Sequence, residues 1–457
     1  MKSVFRFIAI TVIIGFTLVS CPEPDPYAPT SGLKYTLINN GTAYSVSKGS
    51  ANTAIVVIPV VHSGLPVVEI ADSGFSSYAN LTKVIIPEGV TRIGNYAFFH
   101  CSNLKSVTIP VGVTTIGNFA FNNCSSLETI FYGGVDDDAW ETITVGTNNL
   151  PLADAKKYYF SETDPGVEDT YWRFIGAVPM TWYGDFTSPS GIEMVWVSSG
   201  SFELGRNLGT GGGNDVTPIS TVNISGFYMG KYQVTQEQYR AVMGNNPSHF
   251  KNNPASGEIQ NRRPVESVNW YHAIVFCNRL SMMEGLTPAY SISGSTNPSN
   301  WGTIPTNISN ATWNAVEIVP NSTGYRLPTE AQWEYAAKGG NGSPGNFTYS
   351  GSNDPGVVAW YSANSGSRTH EVGKKEPNSL DIYDMSGNVW EWCWDWWGNY
   401  TSEEKTDPLG APSGTGRVIR GGSWGNSSED VRSVYRYNYW VDPVNRYGDL
   451  GFRVSCP

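Results

Sequence analysis

Residues 384–397 read DMSGNVWEWCWDWW, and the last eight of these residues include five tryptophans. Alternation at every second position places Trp390, Trp392, Trp394 and Trp396 on one face of a β-strand. Such a row can stack on sugars, belong to a redox site, or fill a core. Because each indole buries a large apolar area and needs only one nearby acceptor for its N–H, the pattern favours a core strand.

Length and composition limit the classes of protein to consider. A chain of 457 residues is too long for one ordinary core, so we expect two or three domains. Its 29 Lys and Arg against 40 Asp and Glu give a net charge of −11, which argues against nucleic-acid binding. Few charged residues together with many glycines, prolines and aromatic residues favour a turn-rich extracellular protein.

The N-terminus has the features of an export signal. Lys2 and Arg6 precede an apolar run from Phe7 to Val19, which is too short to span a bilayer but matches a secretory signal core. The run ends in Leu-Val-Ser-Cys21, which resembles a bacterial lipobox. We therefore predict a signal peptide over residues 1–20, lipidation of Cys21, and display on the bacterial cell envelope, at the outer surface. The alternative is a plain signal peptide in which Cys21 is incidental.

Between residues 65 and 131 the sequence repeats every 23 residues. Phenylalanine recurs at positions 75, 98 and 121, and isoleucine recurs at 70, 93 and 116. Such a period predicts a solenoid in which each unit buries its apolar face against the next. Cys101 and Cys124 share the position of Tyr78, so we interpret them as packing residues. The phrase AFFHCSNLKSVTIP resembles leucine-rich repeats of the bacterial surface-antigen type.

Several phrases follow in order in the remainder of the chain, including GYRLPTEAQWEYAAKGG, DMSGNVWEW, RVIRGGSW and GFRV. Together they resemble the formylglycine-generating-enzyme domain of sulfatase-modifying factors, a variant of the C-type lectin fold. Thr235 with Gln238, and Thr329 with Gln332, have the spacing of capping boxes, so we predict a helix after each threonine. Residues 270–283 are predicted to form a third helix.

The fold class predicted is therefore α+β multidomain, with a short leucine-rich-repeat solenoid followed by a loop-rich C-type-lectin-like domain. After the signal peptide, we assign residues 21–50 to a tether with the start of the N-terminal domain and residues 51–160 to the solenoid with its end cap. We assign residues 161–190 to a connector and residues 191–457 to the formylglycine-generating-enzyme-like domain.

The resemblance implies a calcium site in the loop that leads into the tryptophan strand. Its ligands would be the carboxylate of Asp384, the carbonyl groups of Gly387 and Val389, and Glu391. Oxygen ligands from both side chains and backbone suit Ca²⁺. The alternative is that Asp384 and Glu391 only cap turns.

Oxidases of the resembled family carry two cysteines after the Arg-Gly-Gly-Ser motif, which bind copper and attack the substrate thiol. Those positions here are Asn426 and Val431. A carboxamide and an isopropyl group can neither form a thiolate nor hold Cu(I), so we predict that this chemistry is lost. The chain also lacks CxxC and Cys/His clusters, and His249, His272 and His370 do not suggest an iron triad.

The C-terminal segment is rich in residues that suit adaptable recognition surfaces, namely Tyr, Asn, Ser and Asp. It resembles the variable region of retroelement-diversified proteins, which carry this lectin-like domain. We name the candidate ligand-binding residues the C-terminal face: Asn426, Ser427, Asp430, Tyr435, Tyr437, Asn438, Tyr439, Trp440, Asn445, Tyr447 and Asp449. The alternative is a tyrosine-rich loop packed on the core.

Three functions follow from these features. We favour a surface lipoprotein, anchored to the membrane at Cys21, whose C-terminal face binds a host or microbial surface protein or a glycan. A formylglycine-generating-type oxidase or related redox enzyme is the second reading, and a purely structural envelope protein is the third.

Overall fold

The computed structural model describes residues 29–161, 170–175, 178–181, 184–209, 216–340, 346–437 and 441–457. The predicted signal peptide, Cys21 and three residues of the C-terminal face, Asn438, Tyr439 and Trp440, lie outside the described residues. Among the described helices, none combines the length and apolar character required to cross a membrane.

The elements up to residue 160 are short strands, two α-helices and a short 3-10 helix at Asn39–Gly41. The strands are β1 Lys34–Ile38, β2 Ala43–Ser47, β3 Ile55–Val57, β4 Val61–His62, β5 Leu65–Ile70, β6 Lys83–Ile85, β7 Arg92–Ile93, β8 Ser106–Ile109, β9 Thr115–Ile116, β10 Thr129–Tyr132, β11 Thr144–Val145 and β12 Lys156–Phe160. The helices are α1 Asp137–Glu141 and α2 Leu150–Asp154.

Helices and strands alternate irregularly in the rest of the chain. The strands are β13 Tyr171–Ile175, β14 Val178–Thr181, β15 Phe186–Thr187, β16 Glu193–Val197, β17 Gly200–Leu204, β18 Ser220–Ile224, β19 Phe227–Gly230, β20 Tyr290–Ser291, β21 Glu317–Ile318, β22 Trp390–Trp396, β23 Lys405–Thr406, β24 Arg417–Arg420, β25 Leu450–Gly451 and β26 Ser455–Cys456. The helices are α3 Gln236–Met243, α4 Trp270–Met283, α5 Ala311–Asn314, α6 Glu330–Ala337 and α7 Pro355–Val358.

The chain divides into two compact units. The first comprises the residues up to Leu127 together with Thr144–Ala153, and the second comprises Glu128–Ile143 and Asp154–Pro457. The division therefore falls inside the range 51–160 that we assign to the solenoid and its cap. The range 161–190, assigned to a connector, contributes β13, β14 and β15 to the second unit, where β13 pairs with β12 and β15 pairs with β16.

In the first unit the 23-residue period becomes parallel strand pairing. Ile70 pairs with Ile93 and Ile93 pairs with Ile116, so β5, β7 and β9 lie side by side in register. Val84 pairs with Val107 in the same manner, which aligns β6 with β8. The register follows from the sequence because a slip by one residue would turn each buried isoleucine or valine towards solvent.

The interior of the repeats is a stack of like side chains. The rings of Phe75, Phe98 and Phe121 are fully buried, and their centroids follow one another at 5.4 and 5.1 Å. Cys101 and Cys124 are also fully buried, and each thiol donates a hydrogen bond of 3.1 Å to the carbonyl group of Phe75 or Phe98, respectively. The prediction that these cysteines pack in the solenoid is confirmed.

The three predicted helices of the second unit are present. Thr235 and Thr329 both cap their helices, α3 and α6, with reciprocal hydrogen bonds to Gln238 and Gln332, so both capping boxes are confirmed. Helix α4 covers the predicted range 270–283. Apart from these helices, short strands and long loops form most of this unit, so mixed helix and strand content with a repeat solenoid is the observed fold class.

Candidate functional site

Strand β22 lies between two apolar clusters of the second unit. Trp392 is fully buried and Trp390 is 4% exposed, and both belong to the cluster that contains helix α4. The Trp392 indole N–H donates to the carbonyl group of Val268 at 3.0 Å. Cys393, on the opposite face, packs into the second cluster. The prediction that the tryptophan row is core is therefore confirmed for Trp390 and Trp392, while Trp394 and Trp396 are half-buried.

The loop before this strand turns its carbonyl groups inward. Asp384, Gly387 and Asn388 have positive φ values of 57°, 81° and 63°. A glycine is needed at 387, because a Cβ there would lie 2.2 Å from the carbonyl oxygen of Trp360. The Asn388 side chain pairs with both backbone groups of His370, which fixes the turn.

The four residues predicted to bind calcium do converge, but on a protein atom. The Gln233 side-chain Nε2 lies 3.1 Å from Asp384 O, 3.3 Å from Gly387 O, 3.0 Å from Val389 O and 3.0 Å from Glu391 Oε1. We call these four oxygens the oxygen cage. Gln233 is fully buried, so its amide fills the cage.

The role predicted for Asp384 differs from the structure. We expected its carboxylate as a ligand, but it faces the cage with its backbone carbonyl group. The carboxylate is directed elsewhere and its Oδ2 accepts a hydrogen bond of 2.8 Å from the backbone N–H of Gly373. The Gly373 backbone N–H, which lies eleven residues earlier in the chain, therefore holds the carboxylate away from the cage.

Glu391 is held by a buried ion pair. Arg453 donates to both of its carboxylate oxygens, at 3.0 and 2.8 Å, and Trp333 donates to Oε2 at 2.7 Å. All three side chains are fully buried. Because Ca²⁺ requires about six to eight oxygen ligands at about 2.3–2.6 Å, an amide N–H₂ group at the centre with an arginine on the carboxylate does not fit that ion.

The two positions that carry cysteine in the resembled oxidases hold no sulfur. Asn426 is half-buried, and its Oδ1 lies within hydrogen-bond distance of the Ser423 hydroxyl group, which also lies 2.9 Å from Asp449 Oδ2. Val431 is fully buried in an apolar cluster with Tyr349 and neighbouring aliphatic residues. These side chains therefore pack and bond as structural residues.

The cysteines of the described residues are all buried and none is in a disulfide. Burial raises the pKa of the Cys101 thiol to about 11, and it raises the pKa of the Cys124 and Cys456 thiols to about 12. Burial likewise places the pKa values of Cys277 and Cys393 well above the usual range. Thiolates are the nucleophilic and metal-binding form, so none of these five thiols is activated.

Two arginines anchor the backbone beneath the C-terminal face. Arg420 donates to the carbonyl groups of Ser433, Val434 and Tyr435 at 3.1–3.2 Å and forms an ion pair with Glu334. Arg436 binds Glu330 at 2.7 and 2.9 Å, also in a buried environment. The backbone of this segment is thus fixed by main-chain contacts that do not depend on the outward side chains.

The structure brings several predicted face residues together. The Ser427 hydroxyl group donates to Asp430 at 2.8 Å, and Asn426 and Asp449 share Ser423 as described above. Tyr447 is 51% exposed, whereas Asn445 is partly exposed.

Tyr435 and Tyr437, two of the predicted ligand-binding residues, lie partly in the core. Both are half-buried and pack on the core cluster, with centroids 6.2 and 5.4 Å from the Trp390 ring. Burial and the neighbouring Asp430 raise the pKa of Tyr435 to about 12. The reason is that the two phenol rings pack against the buried Trp390 ring and cover it. They therefore form the base of the face, and Tyr447 projects from it.

The sequence gives no direct signal for a second feature, a cleft of about 560 Å³ next to Trp396. Asp395, Glu330, Tyr400 and Arg436 contribute to its lining. Burial and the neighbouring Glu330 carboxylate raise the pKa of Asp395 from 3.8 to about 7. Asp395 accepts a hydrogen bond of 2.7 Å from the Glu330 backbone N–H, which places two carboxyl groups close together in a buried environment.

We expect Asp395→Asn to stabilise the protein increasingly as pH rises from about 4 to about 7 and to keep the full gain above pH 7. Between about pH 4 and 7 the unfolded chain has released the proton that folded Asp395 retains, so wild-type stability falls as pH rises. Asparagine cannot ionise and still accepts from Glu330, so the gain of the variant over wild type in free energy of unfolding should rise across this window to on the order of 4 kcal/mol. Urea unfolding at pH 4–8 measures this difference. Exposed Glu237→Gln is the control, and an equal flat difference for both variants would contradict the assignment.

The comparisons with known proteins agree with this architecture. The sequence model of the sulfatase-modifying factor enzyme 1-like domain matches residues 184–456, and that of the BspA type leucine-rich repeat region matches residues 68–136 in 6 copies. Chaperone protein LppX of Paenibacillus barcinonensis is 42% identical over 280 residues, which are 57% of this chain and 88% of that protein. The formylglycine-generating enzyme of Streptomyces coelicolor is 27% identical over 304 residues, covering 57% of this chain and 88% of the enzyme.

Among solved structures, Treponema denticola variable protein 1 shares 41% sequence identity with this chain at a TM-score of 0.52, and the match covers 62% of this chain and 98% of that one. The domain match spans more than half of the 457 residues. The matched residues include the capped helices and the buried tryptophan strand of the lectin-like unit. This chain therefore belongs to the sulfatase-modifying factor enzyme 1-like family.

Proposed function

We propose that this chain is a non-catalytic, surface-displayed protein that binds a protein or glycan ligand through the C-terminal face. One observation carries the proposal: the family's two cysteine positions are Asn426 and a fully buried Val431, beside an aromatic surface on a fixed backbone. The absence of cysteine at these two positions removes the nucleophile and the copper ligand. The aromatic surface beside them provides a binding surface for a partner.

The construction of the face supports recognition. Arg420 donates to the carbonyl groups of residues 433–435, and Arg436 binds the buried carboxylate of Glu330, so the backbone of residues 433–436 is held from beneath the face. Tyr447 presents a large ring at small entropic cost, and Asn and Ser side chains adapt their hydrogen bonds to a ligand. A rigid base with adaptable side chains is the arrangement that binding surfaces of this composition use.

Display at the cell envelope is part of the proposal. The expected lipid on Cys21 would hold the chain to a membrane, and the repeats would serve as a spacer or as a second binding surface. The similarity to a chaperone named LppX and to a protein named variable protein 1 supports a non-enzymatic role.

The test is binding to glycan and host-protein arrays, with wild type compared with Asn445→Ala/Tyr447→Ala, two face residues that lie outside the core cluster. We expect wild type to bind a small set of array members and the double variant to lose at least about tenfold in signal, which corresponds to 1.4 kcal/mol. Tyr96→Ala, at a 40% exposed ring in the repeats, is the control and should retain binding. Equal thermal stability of the three proteins separates lost contacts from lost folding. Unchanged binding by the double variant would refute the face, and no binding by wild type would favour the structural envelope protein.

A redox enzyme is the second candidate, because a formylglycine-generating enzyme aligns with 57% of this chain. That function requires copper-dependent oxidation of a cysteine-containing peptide. We expect no turnover above a sample without protein, since neither Asn426 nor Val431 can supply a thiolate. Turnover that depends on copper and on the folded chain would replace the binding proposal with the enzymatic one.

A further inference from the structure

We propose that the side-chain amide of Gln233 substitutes for a bound cation in the oxygen cage, so that the loop of residues 384–391 keeps its conformation without calcium. The inference does not depend on the ligand of the C-terminal face. It concerns how this chain stabilises the turn that leads into strand β22.

The cage has more acceptors than an amide requires. A primary amide has two hydrogens, yet four oxygens lie 3.0–3.3 Å from Gln233 Nε2. Three of them are main-chain carbonyl groups of the loop, two of which belong to residues with positive φ, Asp384 and Gly387. Converging oxygens around one point are the geometry of a cation site, and here the point is a nitrogen with partial positive charge.

The orientation of the amide follows from the same four oxygens. The opposite orientation would place Gln233 Oε1 against four acceptors with no hydrogen between them. In the observed orientation Oε1 has no hydrogen-bond partner among the described residues. The opposite orientation would deprive the three cage carbonyl groups of this donor and set them and Glu391 against Oε1, so the amide is held in the observed direction.

The main chain beside Gln233 is also fixed. The next residue, Val234, donates to Phe452 O at 3.0 Å and accepts from Val265 N at 2.8 Å. Thr235 then caps helix α3. The amide therefore reaches the cage from an anchored backbone.

The charges around the oxygen cage give a second, independent reason to expect an amide there and not a cation. Within the cage only Glu391 is ionisable, and Arg453 binds both of its carboxylate oxygens. The charge of −1 on Glu391 and the charge of +1 on Arg453 sum to zero, and the buried Asp384 carboxylate beside them adds at most −1, so a divalent cation would leave at least one uncompensated positive charge in a buried environment. A neutral amide adds none.

The sharpest test is Gln233→Glu, which changes one N–H₂ group to oxygen at nearly constant size. The variant places a carboxylate opposite Glu391 and three carbonyl groups, without a hydrogen to separate them. That cage has hard oxygen ligands and a second negative charge, which Ca²⁺ prefers. Gln238→Glu is the control, because it adds the same charge at a partly exposed capping-box position that accepts glutamate.

Calcium content and thermal unfolding of the full chain would be measured in EGTA and in calcium chloride. We expect wild type and Gln238→Glu to unfold at the same temperature in both solutions, and Gln233→Glu to bind one more equivalent of Ca²⁺ and to gain at least about 5 °C with it. Recovery of folded Gln233→Glu only from calcium-containing buffer would equally support the proposal.

Two results would overturn it. One is a fall of several degrees in the unfolding temperature of wild type in EGTA that calcium restores. The other is a Gln233→Glu variant that folds in EGTA and binds no more calcium than wild type. If that variant folds in neither solution, the wild-type comparison decides the question by itself.

Discussion

Replacing Arg453 with methionine should lower the free energy of unfolding of the second unit by about 3–5 kcal/mol. Arg453 is fully buried, neutralises Glu391, and donates to the carbonyl groups of Gly230 and Tyr383 at 2.7 and 2.8 Å. Methionine fills much of the same volume but leaves a buried carboxylate and two carbonyl groups without these donors. The loss of a partner to a buried charge is among the most costly single changes in a protein.

The measurement is equilibrium unfolding in urea followed by circular dichroism. Exposed Arg446→Met is the matched control, and we expect it to change stability by less than about 0.5 kcal/mol. A loss below about 1 kcal/mol for Arg453→Met would show that the ion pair contributes little, and would weaken the charge argument for the oxygen cage as well.

The second large effect is expected at the tryptophan strand. Trp392→Ala should lower the free energy of unfolding by about 3–5 kcal/mol, because the side chain is fully buried and its removal leaves a cavity between helix α4 and strand β22. The change also leaves the Val268 carbonyl group without the indole donor. Trp392→Phe keeps most of the apolar contact and should cost less than half as much.

Trp396→Ala is the control within the same strand. Trp396 is half-buried and stacks with the Arg417 guanidinium group at 3.4 Å, so water can fill part of the space it leaves. We expect Trp396→Ala to lower the free energy of unfolding by no more than about half as much as Trp392→Ala. Equal losses at the two positions in urea unfolding would contradict the assignment of Trp392 to the core and of Trp396 to the edge of the cleft.

The parts of the fold that repeat or begin locally were predictable from the sequence. The 23-residue period placed Ile70, Ile93 and Ile116 in one ladder because a solenoid repeats the same contact in each unit. The capping boxes at Thr235 and Thr329 were predictable because a cap and its partner lie three residues apart. Both signals depend on neighbours in the sequence and not on the final packing.

The content of the oxygen cage was not predictable in the same way. Gln233 lies more than 150 residues before the four oxygens that surround it, and nothing in the local phrase KYQVT marks it as their partner. Family resemblance identified the four residues that converge, but it could not show that Asp384 turns its carboxylate away. The hydrogen bond from the Gly373 backbone N–H holds the carboxylate in that direction, and Gly373 lies outside the phrase that carries the resemblance.

The packing of the C-terminal face also could not be predicted from the sequence. Composition identified its residues, but burial of Tyr435 and Tyr437 against Trp390 depends on tertiary packing. The cleft at Asp395 was missed because its carboxyl groups come from separate elements, α6 and β22, that meet only in the folded unit. Long-range contacts of this kind have no periodicity that a sequence could reveal.

The central claim is that thiol chemistry is absent from this domain, and thiol titration of the native protein tests it most directly. A chain with Cys21→Ser, which removes the expected lipidation residue, should show no fast-reacting thiol when folded and five after denaturation, at Cys101, Cys124, Cys277, Cys393 and Cys456. One or two thiols that react rapidly in the folded protein at neutral pH would contradict the account and restore the oxidase as the leading function.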